Sequence, residues 1–397
     1  MNILIINAGS SSLKYQLIDM QDESVRAKGQ VERIGIEGSN LKQKVGGLEY
    51  QIIAPMKNHI EAIEHMLKAL TDSEKGAVKS MDEIGAVGHR VLHGGADFTK
   101  SMIIDDKVMD AIRACIPLGP LHNPANIMGI EACQKVMPNT PMVAVFDTAF
   151  HQTMPAESYL YGIPMEYYER LKIRRYGFHG TSHRYVSKRA ADFLGVDAQK
   201  GYRMITCHLG NGSSICAVKD GKCFDTSMGL TPLEGVLMGT RSGSVDPAAL
   251  QFIMNSDNIS VDEMLTILNK KSGLLGISGK SSDMRDIDRM ADEGDERCIM
   301  ARNILVHTIK KFVGAYAAEM GGVDAIVFTA GIGENNNALR ERIMDGFEYL
   351  GAKLDKEKNK GRGEMIISTD DSKVKILVIP TNEELAIARD TLALVSK

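Results

Sequence analysis

The sequence predicts an α/β protein built from two related halves. Three observations carry that expectation: a hairpin-like segment written twice, strand-like and helix-like patterns alternating along the chain, and 397 residues, more than one hydrophobic core usually serves. Residues 2–19 and 203–220 each read as a short apolar run, a Gly/Ser turn and a second apolar run closed by Asp19 or Asp220. At one constant offset Gly9, Ser10 and Ser11 fall on Gly212, Ser213 and Ser214. Such a turn lets backbone N–H groups converge with no Cβ in the way, so it can hold phosphate oxygens. One such turn is commonly just a hairpin, whereas two at equivalent places suggest half-molecules facing a polyphosphate.

The remaining elements follow from periodicity. His59 to Leu70 places Ile60, Ile63, Met66, Leu67 and Leu70 on one helical face. Ile84 to Leu92 reads as a strand, Lys107 to Cys115 as a helix, Met142 to Phe146 as a strand and Ser182 to Leu194 as a helix. Asp262 to Lys270 and Glu296 to Met320 read as helices, Ala325 to Thr329 as a buried strand and Asn337 to Phe347 as a helix. Lys375 to Ile379 is expected as a strand and Glu383 to Val395 as a closing helix. No low-complexity linker intervenes. A first domain is expected over 1–150 and a second over 151–383, joined near 148–155, with the helix of 384–397 able to return to the first.

Composition narrows the function. Hydrophobic residues make up 44% and charged residues 25%, ordinary globular usage. Apolar runs break within about ten residues, short of the roughly 20 a membrane span needs. The amino terminus enters a strand with no basic region or cleavage signal, so a cytoplasmic location is expected. Net charge is −4 with scattered basic residues, which gives no support to a nucleic-acid surface. Cys115, Cys133, Cys207, Cys216, Cys223 and Cys298 form no CxxC pair and no His/Cys metal spacing, and read as reduced core residues.

Three segments carry chemistry. In residues 88–95 a strand delivers Arg90 between His89 and His93 and stops at Gly94 and Gly95; a surface arginine beside structural histidines is the plain alternative. In residues 176–183 His179 sits in a Gly-flanked turn, and Thr181 or Ser182 is placed to cap the next helix. A lone histidine in such a turn is more often structural than catalytic. In residues 327–336 a strand leads into Gly331-Ile332-Gly333 and a helix, but Asn336 stands where a dinucleotide fingerprint needs its third glycine. What remains is a close-approach turn suited to an adenosine.

Together with residues 7–14, 145–151, 208–212, 239–243 and 380–384, these segments closely resemble the acetate kinase family, in its order and over nearly the whole chain. The resemblance implies the duplicated actin-like, ribonuclease H-like two-domain ATPase fold with ATP in an interdomain cleft. It implies reversible, direct in-line phosphoryl transfer from ATP to acetate, giving ADP and acetyl phosphate, with Mg²⁺ (or Mn²⁺ in its place) and usually as a homodimer. By the same resemblance Arg90 and Arg241 flank the acetate and the transferring phosphoryl, His179 donates to phosphoryl oxygens, and Asp147 orients the acetate or its arginine. His122 and His208 are further candidates near the phosphoryl path. Leu92, Leu121, Phe178 and Pro232 fall at the methyl pocket, with Leu92 where the family usually has Val, which favours strict acetate use. Nucleotide contacts fall on Lys14, on His208, Leu209, Gly210, Asn211 and Gly212, on Asp283, Met284 and Arg285, and on Gly331, Ile332, Gly333, Glu334 and Asn335. Asn7 and Glu383 match the metal positions, with Glu384 in reserve. A propionate or butyrate kinase is the nearest alternative. A chaperone or filament ATPase would not need a carboxylate clamp, and a dehydrogenase fails on the broken glycine motif.

Overall fold

A computed structural model describes residues 1–120 and 122–396; Leu121 lies outside the described residues. The chain divides into two compact units, residues 1–149 with the segment from Asn382, and Phe150–Thr381. In the first, strands β1 (Asn2–Ala8), β2 (Ser12–Asp19), β3 (Ser24–Glu32), β4 (Asn40–Val45), β5 (Leu48–Ile53), β6 (Ile84–Val91), β7 (Met102–Ile103) and β8 (Met142–Phe146) form one sheet in the order β5-β4-β3-β2-β1-β6-β8-β7. In the second, β9 (Arg203–Leu209), β10 (Ser213–Lys219), β11 (Lys222–Thr226), β12 (Ala325–Thr329), β13 (Met365–Ile366) and β14 (Lys375–Val378) are ordered β11-β10-β9-β12-β14-β13.

The duplication is visible in these orders. β3-β2-β1-β6-β8 and β11-β10-β9-β12-β14 share one plan: an antiparallel three-strand meander followed by two strands parallel to the first. Parallel neighbours need crossovers, and the helix His59–Leu70 lies between β1 and β6 in sequence as the helix Glu296–Glu319 lies between β9 and β12.

Side-chain alternation sets the layers. On β1, Leu4 and Ile6 join a core with Ala62, Ile63, Met66 and Leu70 of the helix His59–Leu70. Ile3 and Ile5 face the other way, onto Ile387 and Ala388 of the closing helix Glu383–Val395. That helix presses so closely on β6 that a Cβ on Gly88 would lie 2.7 Å from the Ile387 Cγ2. In the second unit Ile205, Cys207 and Leu209 of β9 meet Leu305, Ile309 and Val313 of the helix Glu296–Glu319 in one core.

Three local expectations change. The turns are Gly9–Ser11 and Gly210–Gly212, so Ser213 and Ser214, matched by letter to the first turn, begin strand β10. Thr181 and Ser182 do not cap the helix Gly180–Leu194; His179, in left-handed conformation at φ 58°, stands at its N-cap. The helix expected over Asp262–Lys270 is α-helical only for Val261–Thr266, which starts at a Ser260/Glu263 capping box, and continues as a π-turn over Ile267–Lys271.

Candidate active site

In the first unit, adjacent parallel strands bring Arg90 on β6 beside Asp147, which follows β8. Arg90 donates from Nη2 to Asp147 Oδ2 at 2.6 Å and from Nε to Oδ1 at 3.1 Å. Asp147 is wholly buried, whereas the Arg90 side chain keeps 28% of its surface. The Asp147 carboxylate, with Glu383 and Glu384 adding to it, raises the Arg90 guanidinium above its ordinary value against the opposing effect of burial. The guanidinium is therefore a fixed cation with one edge clamped.

Glu383 and Glu384 open the closing helix, where the Asn382 side chain accepts from the Leu385 N–H. Enclosure by protein pushes the Glu383 carboxyl up to about 7; Arg90 opposes this, and Asp147 and Glu384 add to it. Glu384, not Glu383, lines a groove of about 430 Å³ with Asn7 and Lys14, so the two carboxylates serve different surroundings. Asn7 pairs with Lys14 across the first hairpin. Leu92 is 7% exposed, and its N–H donates to Asn126 Oδ1. The Asn126 amide in turn donates to the Ala8 carbonyl, tying the helix Asn123–Val136 to the first turn. His122 is exposed at the N-terminus of that helix.

In the second unit His179 Nδ1 and Ser214 Oγ are 2.9 Å apart, and the His179 ring stacks on His208 at 4.1 Å. His208 Nδ1 meets Ser182 Oγ at 2.8 Å, and Ser182 Oγ meets Thr381 Oγ1 at 2.8 Å. These hydroxyls engage the Nδ1 side of each ring. His179 Nε2 and Arg241 Nη1 each lie 3.5 Å from the point where a Cβ on Gly212 would stand, so two nitrogen-bearing side chains converge beside this glycine. Arg241 Nη1 also donates to the Pro232 carbonyl. Phe178 is 1% exposed, and its carbonyl accepts from His151 Nε2 at 2.9 Å.

Gly210, Asn211, Asp283, Met284, Arg285, Gly331, Ile332 and Asn335 line one cavity of about 730 Å³, with Ser282, Asp288 and Asn336. Asp283 caps the helix Met284–Asp292 and receives Nη2 of Arg285 at 2.6 Å, leaving that arginine largely in solvent. Burial would raise the Asp283 carboxyl, but hydrogen bonds from Arg285, the larger influence, bring it down to about 2.

The other nucleotide candidates do not line this cavity. Gly331 and Gly333 lie in a short helix, Ala330–Asn335, rather than in an open turn; it starts at Ala330 with φ 63°. Glu334 Oε1 accepts from the Thr381 N–H, and the buried Arg340 donates to the Gly333 and Glu334 carbonyls, so both residues support the wall. Gly212 closes the turn and His208 and Leu209 precede it, none of them lining the cavity, and Lys14 belongs to the first unit. Each turn also spends its first glycine N–H internally, Gly9 on the Ser12 carbonyl and Gly210 on the Gly212 carbonyl. Sequence reasoning missed Asn126, and it read Ser214 as a turn serine and Ser182 as a helix cap rather than as partners of His179 and His208. Each is an ordinary polar residue whose role depends on a partner far away in sequence.

A model of the Acetokinase family matches residues 2–389. Acetate kinase of Treponema denticola is 62% identical over 397 residues, covering all of both chains. The crystal structure of Porphyromonas gingivalis acetate kinase is 47% identical, covers 99% of each chain and superposes with a TM-score of 0.96. That of a propionate kinase from Francisella tularensis is 43% identical, with 99% of each chain covered and a TM-score of 0.93.

Proposed function

Because the chain belongs to the acetokinase family, we propose that it is an ATP:acetate phosphotransferase, reversibly forming acetyl phosphate and ADP. The observation that carries the reading is the convergence of His179 Nε2 and Arg241 Nη1 over Gly212, whose turn borders the nucleotide-sized cavity. Donors so placed suit a phosphoryl group whose equatorial oxygens gain charge in a loose transition state.

A carboxylate oxygen of acetate attacks the γ-phosphorus, a C–O–P link forms, and the bond to the β-phosphate oxygen breaks as ADP leaves. No proton is removed, because the acceptor is already an anion. Arg90, clamped by Asp147, is assigned the acetate carboxylate; His179 and Arg241 are assigned the phosphoryl oxygens. Leu92, Leu121, Phe178 and Pro232 are assigned the methyl pocket. Asn7 with Glu383 or Glu384 would hold Mg²⁺: all are hard oxygen donors, and Asn7 and Glu384 share one groove. The ion would neutralise phosphate charge. We further assign the enzyme to the cytoplasm as a homodimer. The helix Pro247–Asp257 supports the dimer, because it buries no residue and leaves Phe252 74% exposed.

The test is to incubate enzyme and Mg-ATP with formate, acetate, propionate or butyrate and trap the acyl phosphate with hydroxylamine. Acetate is expected to give the highest kcat/KM. A higher value for propionate would favour the second reading, raised by the 43% identical propionate kinase, and product with none of the acids would refute both.

A further inference from the structure

We propose that His151, Cys216 and Cys223 form a site for one thiophilic d10 cation, Zn²⁺ or Cd²⁺ in character. Their ligand atoms lie within 4.8 Å of one another, and all three residues are buried. His151 Nδ1 is 3.1 Å from the Cys223 sulfur, and the two sulfurs are 3.5 Å apart. A tetrahedral zinc with ~2.3 Å bonds to sulfur separates its thiolates by roughly 3.8 Å, so the two sulfurs need spread only by a few tenths of an ångström.

The second shell already fits. His151 Nε2 donates to the Phe178 carbonyl, which selects the tautomer with its lone pair on Nδ1, toward the sulfurs. Gly177 at φ 75° lets the ring sit there, since a Cβ would stand 2.7 Å from the His151 Cδ2. Two thiolates and a neutral imidazole carry two negative charges, which a divalent ion balances in a site closed to water.

Entry has a route. Cys223 lies on β11, the edge strand of its sheet, and the pairing with β10 is irregular between Ala217 and Val218, so fraying of this edge exposes the sulfurs. Cys216 and Cys223 are seven residues apart and His151 stands 65 residues before Cys216, which is why spacing alone shows no metal motif. The bound ion and the Phe178 hydrogen bond use opposite ring nitrogens. Loading therefore preserves the anchor of the turn that carries His179.

The reduced protein, in excess Mg²⁺, is titrated with Cd²⁺ and followed by sulfur-to-metal charge-transfer absorption. One equivalent per chain is expected, unaffected by Mg²⁺ and with a rise in thermal midpoint. Cys216→Ala and Cys223→Ala should abolish it, and Cys133→Ala, in the other unit, should not. X-ray absorption of the loaded wild-type protein, which needs no variant to fold, should show two sulfurs and one nitrogen. No charge-transfer band, a band that survives in Cys223→Ala, or a shell without sulfur would overturn the site.

Discussion

Arg90 donates from two nitrogens to a carboxylate that has no exposed surface, so its removal does two things. It takes a bidentate donor from the proposed acetate site and leaves Asp147 charged and unpaired, a defect of about 3–5 kcal/mol in a buried pair. Arg90→Ala should therefore lose both turnover and stability. Arg241→Ala should lose about 2–5 kcal/mol of transition-state stabilisation, roughly 30- to several-thousand-fold in rate. His179→Ala should lower kcat with little change in KM, and Ser214→Ala should show the same split more mildly, because Ser214 orients the ring without touching substrate. Steady-state kinetics on the four variants check the series; a His179→Ala enzyme altered only in KM would make that residue a binding group. Arg90 and His179 drew attention because each stands in a dense local motif, but the roles proposed for them, and the choice of Asp147, come from the family resemblance. Ser214 was not legible: its letter matched a turn serine, and only the β9–β10 register shows it as a strand residue.

At the scale of elements, strong periodicity was read well and polar strands were not. The helices His59–Leu70 and Glu383–Val395 stand where the pattern puts them. Strands β3 to β5 went unread, because Lys28, Gln30, Lys42 and Lys44 interrupt any apolar run while Ala27, Val31 and Leu41 face the core on the other side. Strand β6 and the residues after it have a further consequence, since burial drives the His89 imidazole down to about 3 and the His93 imidazole down to about 4. Both are neutral in the folded protein, whereas the unfolded chain binds protons below about pH 6.5. Their contribution is therefore fully present above about pH 6.5 and falls with pH toward 4 and 3, by up to about 1.4 kcal/mol per pH unit for each histidine. Urea unfolding of wild type and His89→Gln across that range should show a shallower acid limb in the variant; parallel limbs would mean that His89 takes up a proton in the native state.

At the scale of the whole molecule, a repeated hairpin in the sequence corresponds to two sheets with one strand plan. Sequence could suggest the repetition because hairpins are local. It could not give the order of the parallel strands, which depends on pairings such as β1 with β6 and β9 with β12 between segments distant in the chain. The exposed helix Pro247–Asp257 has its own test: Phe252→Asp should halve the mass seen by light scattering if that face joins two copies, and an unchanged dimer would place the interface elsewhere. The central claim, transfer of the phosphoryl group to a carboxylate oxygen, is tested most directly with ¹⁸O-labelled acetate and Mg-ATP, reading the product by phosphorus NMR. The account predicts one ¹⁸O bonded to phosphorus in every acetyl phosphate, together with ADP formation that requires acetate. Unlabelled phosphorus in the product, or ATP consumed equally without acetate, would contradict it.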